Sequence, residues 1–184
     1  MTAINRINEN KKFSSRDDFL RERIKCVFIS YQNNDKSHAK KIADYLLNAG
    51  INVYFDEYDS DLKLSNQSNN PGQVTNALTK GINNSSHMLV IVSTTTMKSN
   101  WVPFEIGYGY DKTDLSVLTL KGIPKNAVPD YIKTANIIRD IWDLNSLASN
   151  LRGIDKEVLI NEHSIRDYNN SYHPLNTYMD KCIS

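Results

Sequence analysis

Cys26-Val-Phe-Ile-Ser-Tyr31, Asn52-Val-Tyr-Phe-Asp56 and His87-Met-Leu-Val-Ile-Val-Ser93 are three short apolar runs, each closing on a polar residue. The first and third are continuously apolar. They lack the alternation of a strand with one wet face, so the sheet they build is expected to be covered on both sides. Helical periodicity fills the gaps between the runs. Ala39, Ile42, Ala43, Leu46 and Leu47 recur at i, i+3, i+4, i+7 and i+8, and Val74, Ala77, Leu78 and Ile82 mark a second buried face. Further strands are expected at Leu115–Leu120 and Ala135–Ile141. Strands alternating with helices predict an α/β fold: a five-stranded parallel sheet with helices on both faces.

Composition narrows the function classes. A chain of 184 residues with 40% apolar content supports one core and one domain. The charges, 22 basic and 21 acidic, nearly cancel, which gives no reason to expect nucleic acid or an anionic membrane as partner. The polar start from Met1 to Lys12 has no signal-peptide core, and no apolar run approaches the ~18 residues of a membrane span. Cys26 and Cys182 read as free thiols in a reducing cytosol, so a cytoplasmic location is expected. The four histidines are scattered without metal-ligand spacing, and no metal site is expected. Neither GxGxxG nor a P-loop is present, so any nucleotide must be held in another way.

Local signals complete the plan. Residues 1–14 read as loosely ordered, and Ser15 to Arg23 as a short charged helix docking through Phe19 and Leu20. Asn34 or Asp35 is expected to cap the next helix, and Gly50 to close it. Glu57 to Pro71, rich in Asp, Ser and Asn, is a long surface loop of the kind that is commonly functional or disordered. Trp142 is expected to close the core beneath the last strand, Leu144 to Ile160 to supply one final helix, and Asn161 to Ser184 to run over the surface. The division is then an N-terminal extension at 1–23, a domain at 24–160 and a C-terminal extension at 161–184.

Chemistry concentrates in Ser99-Asn-Trp-Val-Pro-Phe-Glu-Ile-Gly-Tyr108. Trp101 and Glu105 are four residues apart, one turn on a shared helix face, with Tyr108 at i+7. Val102, Ile106 and Gly109 form the stripe expected to face the core. Pro103 fits only within a first turn, which places the helix start near Ser99 or Asn100. Taken alone, these residues also suit a packing Trp and a Glu that complements the helix dipole. Ligands of parallel α/β sheets bind at the carboxyl ends of the strands. Tyr31, Asp56, Ser93 and the Trp/Glu helix all follow strand ends, which gathers them on one rim.

Phe28-Ile-Ser-Tyr31, Val53-Tyr-Phe-Asp56, Leu89-Val-Ile-Val-Ser93 and Trp101-x-x-x-Glu105, in this order, resemble a TIR (Toll/interleukin-1 receptor) domain of the bacterial, enzymatic kind, over roughly residues 24–142. The resemblance implies a flavodoxin-like TIR fold. In NAD-cleaving TIR domains the Trp-x-x-x-Glu element carries the catalytic glutamate, here Glu105. Glu57 to Pro71 falls at the BB loop, which covers the substrate site and mediates assembly, and is longer and more polar than usual. The implied substrate-binding residues are Ser30, Tyr31, Asp56, Ser93 and Trp101, with NAD as substrate and no further cofactor. Proteins of this size and type resemble the signal-producing subunit of Thoeris anti-phage defence. There, TIR–TIR self-association and a separate effector reached through a nucleotide product are expected.

The chemistry suits a single carboxylate. Nicotinamide leaves NAD as a neutral group and needs no proton, so a Glu that binds the ribose hydroxyls and offsets the oxocarbenium charge is sufficient. Ordinary glycosidases mostly need two carboxylates because their leaving oxygen must be protonated. Two other readings remain open: a non-enzymatic TIR adaptor acting by assembly, and a nucleoside deoxyribosyltransferase-like enzyme, which also uses a glutamate at a nucleoside sugar on a related α/β architecture.

Overall fold

His87–Val92 forms the central strand β3 of the computed structural model, with Met88 through Val92 all buried. The structure describes residues 3–6, 15–55, 70–124, 127–162 and 165–182. The other strands are β1 (Cys26–Ser30), β2 (Asn52–Tyr54), β4 (Asp114–Thr119) and β5 (Asn136–Ile138). All five pair in parallel in the order β2-β1-β3-β4-β5, the expected α/β sheet. The strand pleat sends Val27, Ile29, Leu89 and Ile91 to one face and Phe28, Met88, Val90 and Val92 to the other. The first face is covered by α2 (Lys36–Asn48) and α5 (Ile141–Arg152). The second is covered by α1 (Arg16–Arg21), α3 (Pro71–Asn83) and α4 (Val102–Gly109). A final helix, α6 (Lys156–Glu162), follows α5.

Helix ends follow local chemistry. The Asn70 side chain accepts from the Gly72 and Gln73 N–H groups, and Pro71 fills a first-turn position that needs no donor. Helix α2 closes at Gly50, whose φ of 77° lets its N–H reach Leu47 O while the Ile51 N–H reaches Leu46 O. The capping expected of Asn34 or Asp35 is not made. Gln32 instead accepts from the Asn34 N–H to start a short 3-10 turn, and Asp35, at the N-cap of α2, makes no side-chain capping bond.

Gly81 is where α3 comes down on the sheet. A Cβ there would lie 2.6 Å from the Tyr54 ring and 2.9 Å from the Phe28 ring, which stack on each other at 5.4 Å. Gly81→Ala is expected to lower thermal stability even though Ala is the better helix former by about 1 kcal/mol. Overpacking of this kind costs about 1–3 kcal/mol. A melting curve decides the matter, since a rise in midpoint would show that α3 can back away.

Four expectations are corrected by packing. Leu20 is 48% exposed, so of the two expected residues Phe19 docks α1, and Arg16 Nη1 adds bonds to the Asn83 and Ser85 carbonyls. Trp142 is 42% exposed and faces outward, with Lys156 Nζ 3.4 Å from its ring centroid. Asp140 sets the phase of α5 by accepting from the Asp143 N–H at 2.8 Å, which turns Ile141, Leu144, Ala148 and Leu151 inward. The span from 144 to 160 is two helices, because the chain turns at Gly153 with φ 68°. Residues 165–182 are more than a surface run: Leu175 and Met179 are fully buried, and Ile165 nearly so, in the core shared by α2 and α5. At the other end of the chain, Asn5 bridges to Val53 beside β2. The residues 1–2, 7–14 and 56–69 lie outside the described residues, and with them the expected loop and Asp56.

The terminal segment is locked by a polar relay. The Leu175 N–H donates to His173 Nδ1 at 3.1 Å, which leaves Nε2 to donate to the Tyr45 hydroxyl at 3.2 Å. Tyr45 donates in turn to Asn145 Oδ1 at 2.7 Å. Burial pushes the His173 imidazole down to about 4, outweighing the hydrogen bond at the Arg166 backbone that favours its charge. The unfolded chain therefore takes up this proton near the ordinary ~6.5, well before the folded one. Stability from neutral His173 is fully present above pH ~6.5, is lost as pH falls toward 4, and is level below that. The expected loss is roughly 1–2 kcal/mol across the window. Urea denaturation of wild type and His173→Gln from pH 7 to 4 checks it: the gap between the two should narrow on acidification.

Burial likewise pushes the Cys26 thiol up to about 12, so this free cysteine stays protonated; Cys182 is exposed. Among the described residues, no helix is long and apolar enough to cross a membrane.

Candidate functional site

The strand order reverses between β1 and β3. The chain builds β2 on one side of β1, then returns to build β3, β4 and β5 on the other. At such a switch point the loops leaving two adjacent strands diverge and open a crevice at their carboxyl ends. A cleft of about 520 Å³ lies there. Tyr31, Gln32 and Asn33, which follow β1, form one wall. Lys98, Ser99, Asn100 and Trp101, which follow β3, form another, and Val74 and Leu78 of α3 supply an apolar patch. Glu105 completes the lining.

The entry to α4 differs from the expected one. Ser99 is extended, and its hydroxyl accepts from the Trp101 and Val102 N–H groups at 3.2 and 3.1 Å. The helix therefore begins at Val102, with Trp101 as its N-cap, two to three residues later than expected. Trp101 and Glu105 remain one turn apart, joined by the Glu105 N–H to Trp101 C=O bond at 2.8 Å. Val102, Ile106 and Gly109 face the core as expected.

Glu105 is the unusual residue. It is 6% exposed, a carboxylate among core neighbours in the first turn of α4, where the positive end of the helix dipole favours it. Ser30, the last residue of β1, is itself buried and donates its hydroxyl to Glu105 Oε2. A buried carboxylate needs such donors to remain charged. Trp101 stands beside it with its ring edge-on to Phe104, centroids 6.2 Å apart. Tyr31, across the cleft, packs on Phe55 at 5.4 Å. Tyr108 does not join Trp101 and Glu105 in lining the cleft. It stacks on Phe104, and its hydroxyl donates to Asn83 Oδ1 at 3.1 Å.

Four of the six expected site residues thus converge: Ser30, Tyr31, Trp101 and Glu105. Ser93 is not brought to the cleft. Its hydroxyl donates to Asp35 Oδ2 at 2.5 Å. Asp56 lies outside the described residues. No cluster of three or more potential metal ligands occurs among the described residues.

The family model for the TIR domain matches residues 27–157. The chain belongs to the TIR domain family. Among curated proteins no significant match is found. Solved structures that share the fold of this TIR domain include two of a metazoan TIR-STING receptor from C. gigas. The one in complex with 2′,3′-cGAMP superposes with a TM-score of 0.52 at 21% identity, over 68% of this chain and 38% of the receptor. The other gives 0.51 at 22% identity, over 68% of this chain and 39% of the receptor. The match thus spans about two fifths of each receptor.

Several wall residues of the TIR domain were not singled out in the sequence. Gln32, Asn33 and Asn100 are short polar residues in loop-like runs, and only their position after β1 and β3 marks them. Val74 and Leu78 read as core and are buried, yet they also present an edge to the cleft. Lys98 carries no sequence signal of its own; its place is set by the 3-10 turn Thr96–Lys98.

Proposed function

We propose that this TIR domain cleaves the nicotinamide–ribose bond of NAD and releases a nucleotide product that serves as a signal, in a defence role of the Thoeris type. The observation that carries the proposal is the buried Glu105 carboxylate, held by the Ser30 hydroxyl at the base of an open cleft with Trp101 and Tyr31 in its walls. The cleft falls in the size range of small-molecule sites. A carboxylate in this setting can bind ribose hydroxyls and oppose the positive charge that develops at the anomeric carbon. Trp101 offers a flat face for a base or for nicotinamide, and Lys98 adds an ammonium suited to the diphosphate. The TIR family includes NAD-cleaving enzymes, and the Trp-x-x-x-Glu element of this chain matches theirs. The active form is a self-associated one, its product acts on a separate effector, and the protein works in the cytoplasm.

The experiment is incubation of the purified chain with NAD over a range of protein concentrations, with nicotinamide measured by chromatography and the nucleotide product by mass spectrometry. Nicotinamide release with a matching ADP-ribose derivative, hydrolysed, cyclic or conjugated, is expected. Self-associated protein that never releases nicotinamide would favour the adaptor reading. Turnover of deoxynucleosides in place of NAD would favour the transferase reading.

A further inference from the structure

Asp35 lies at the start of α2, yet its carboxylate makes no capping bond to its own helix. It is 5% exposed and reaches across the carboxyl ends of β1 and β3 instead. Its Oδ2 accepts from Ser93 Oγ at 2.5 Å and from Thr95 Oγ1 at 3.1 Å. Both donors belong to the loop that leaves β3. The same loop is cross-braced by Thr96, whose hydroxyl accepts from the Ser93 N–H at 2.7 Å and donates to Ile91 O at 3.3 Å. Two to four residues upstream of Asp35 lie Tyr31 to Asn33, and a few residues beyond Thr96 lie Lys98 to Trp101. These are the two loop-built walls of the cleft.

We infer that Asp35 is a positioning residue for the reaction at Glu105, a clamp that fixes the β1-side wall against the β3-side wall and so places Trp101 and Lys98 relative to the carboxylate. The inference rests on the proposed NAD cleavage for its catalytic consequence, though the clamp itself does not. Two hydroxyl donors on one buried carboxylate oxygen are charge-assisted bonds, roughly twice as strong as neutral ones. The sheet alone cannot supply this constraint: β1 and β3 are paired only as far as Ser30 and Val90, and both loops begin beyond that register. A small misplacement of binding groups far from the reacting atoms can cost about 10²-fold in rate. Asp35 reaches the site only through its loop partners, and it accounts for Ser93 as well, whose hydroxyl is committed to the clamp.

The test uses the full chain as wild type, Asp35→Ala, Asp35→Asn and Ser93→Ala. Hydrogen exchange of the segment 96–100 is compared first, without substrate. Asp35→Ala should speed exchange there at least several-fold and leave β1 and β3 protected, with Ser93→Ala intermediate. Asp35→Asn, which keeps an acceptor of the same shape, should restore most of the protection. In NAD turnover, Asp35→Ala should lose about 10- to 100-fold in kcat, with a smaller change in KM, and Asn should recover most of it. Unchanged exchange at 96–100 in Asp35→Ala would overturn the clamp whatever the activity. Faster exchange with undiminished kcat would overturn its role in positioning. If Asp35→Ala fails to fold, Ser93→Ala and Asp35→Asn carry both readouts. A wild-type chain that does not cleave NAD would instead count against the proposed function, with the exchange result still standing.

Discussion

Glu105→Gln is expected to abolish measurable NAD cleavage, a loss of at least about 10²–10³-fold, with the fold retained. One preorganised group aimed at developing charge is worth about 3–4 kcal/mol in a site shielded from water. Glu105 meets that condition through its burial and the Ser30 hydroxyl on Oε2. Gln has nearly the same volume, and its amide oxygen can still accept from Ser30. The change therefore removes the charge while keeping the packing against β1. Circular dichroism and the melting midpoint should stay near wild type while nicotinamide release disappears. Turnover within a few-fold of wild type would sink the assignment of Glu105, because no structural role of the side chain requires its charge in the transition state.

Trp101→Ala is expected to produce the next largest loss of activity, about 10- to 100-fold, at a cost in stability well below that of a core tryptophan. Truncating a buried Trp typically costs ~3–5 kcal/mol. Trp101 is only half-buried: it sits at the N-cap of α4, lines the cleft and meets Phe104 edge-on. Its backbone carbonyl, which accepts from the Glu105 N–H, survives the substitution. Paired measurements of denaturation and NAD turnover separate the two roles. A stability loss of the core size with parallel loss of activity would mean that the ring is packing material. Retained stability with a raised KM and lowered kcat would mean that it holds substrate.

Periodicity made most of the fold legible. A continuous apolar strand such as Met88–Val92 has one stable environment, between two helical layers, and the i, i+3, i+4 stripes of α2 and α3 supply those layers. The element types follow from side-chain spacing, which is local. The misreadings fall where a non-local contact chose between local options. Trp142 is as apolar as any core residue, but the start of α5 is tied to the distant C-terminal segment, Ile141 N–H to Asp180 O at 2.9 Å and Trp142 N–H to Lys181 O at 3.3 Å, and the ring faces Lys156 instead of the core. Residues 165–182 are polar on average, and averaging hid Leu175 and Met179, whose segment is held by side-chain bonds to Tyr45 and Asn145 and by backbone bonds from Lys121, Ile141 and Trp142.

The site divides in the same way. The spacing of Trp101 and Glu105 determines that they share one turn, because helix geometry alone requires it. That Glu105 is buried and bonded to Ser30, 75 residues earlier, depends on β1 and β3 being neighbours with α4 packed over them, and no local pattern encodes that pairing. The same adjacency drew Ser93 away from the cleft and onto Asp35, a residue whose sequence position suggested only a helix cap. Sequence by itself determined which residues can carry the chemistry and which elements they ride on. Tertiary structure decided which of them meet, because a hydrogen bond has a reach of about 3 Å and only the packed sheet brings distant loops within it.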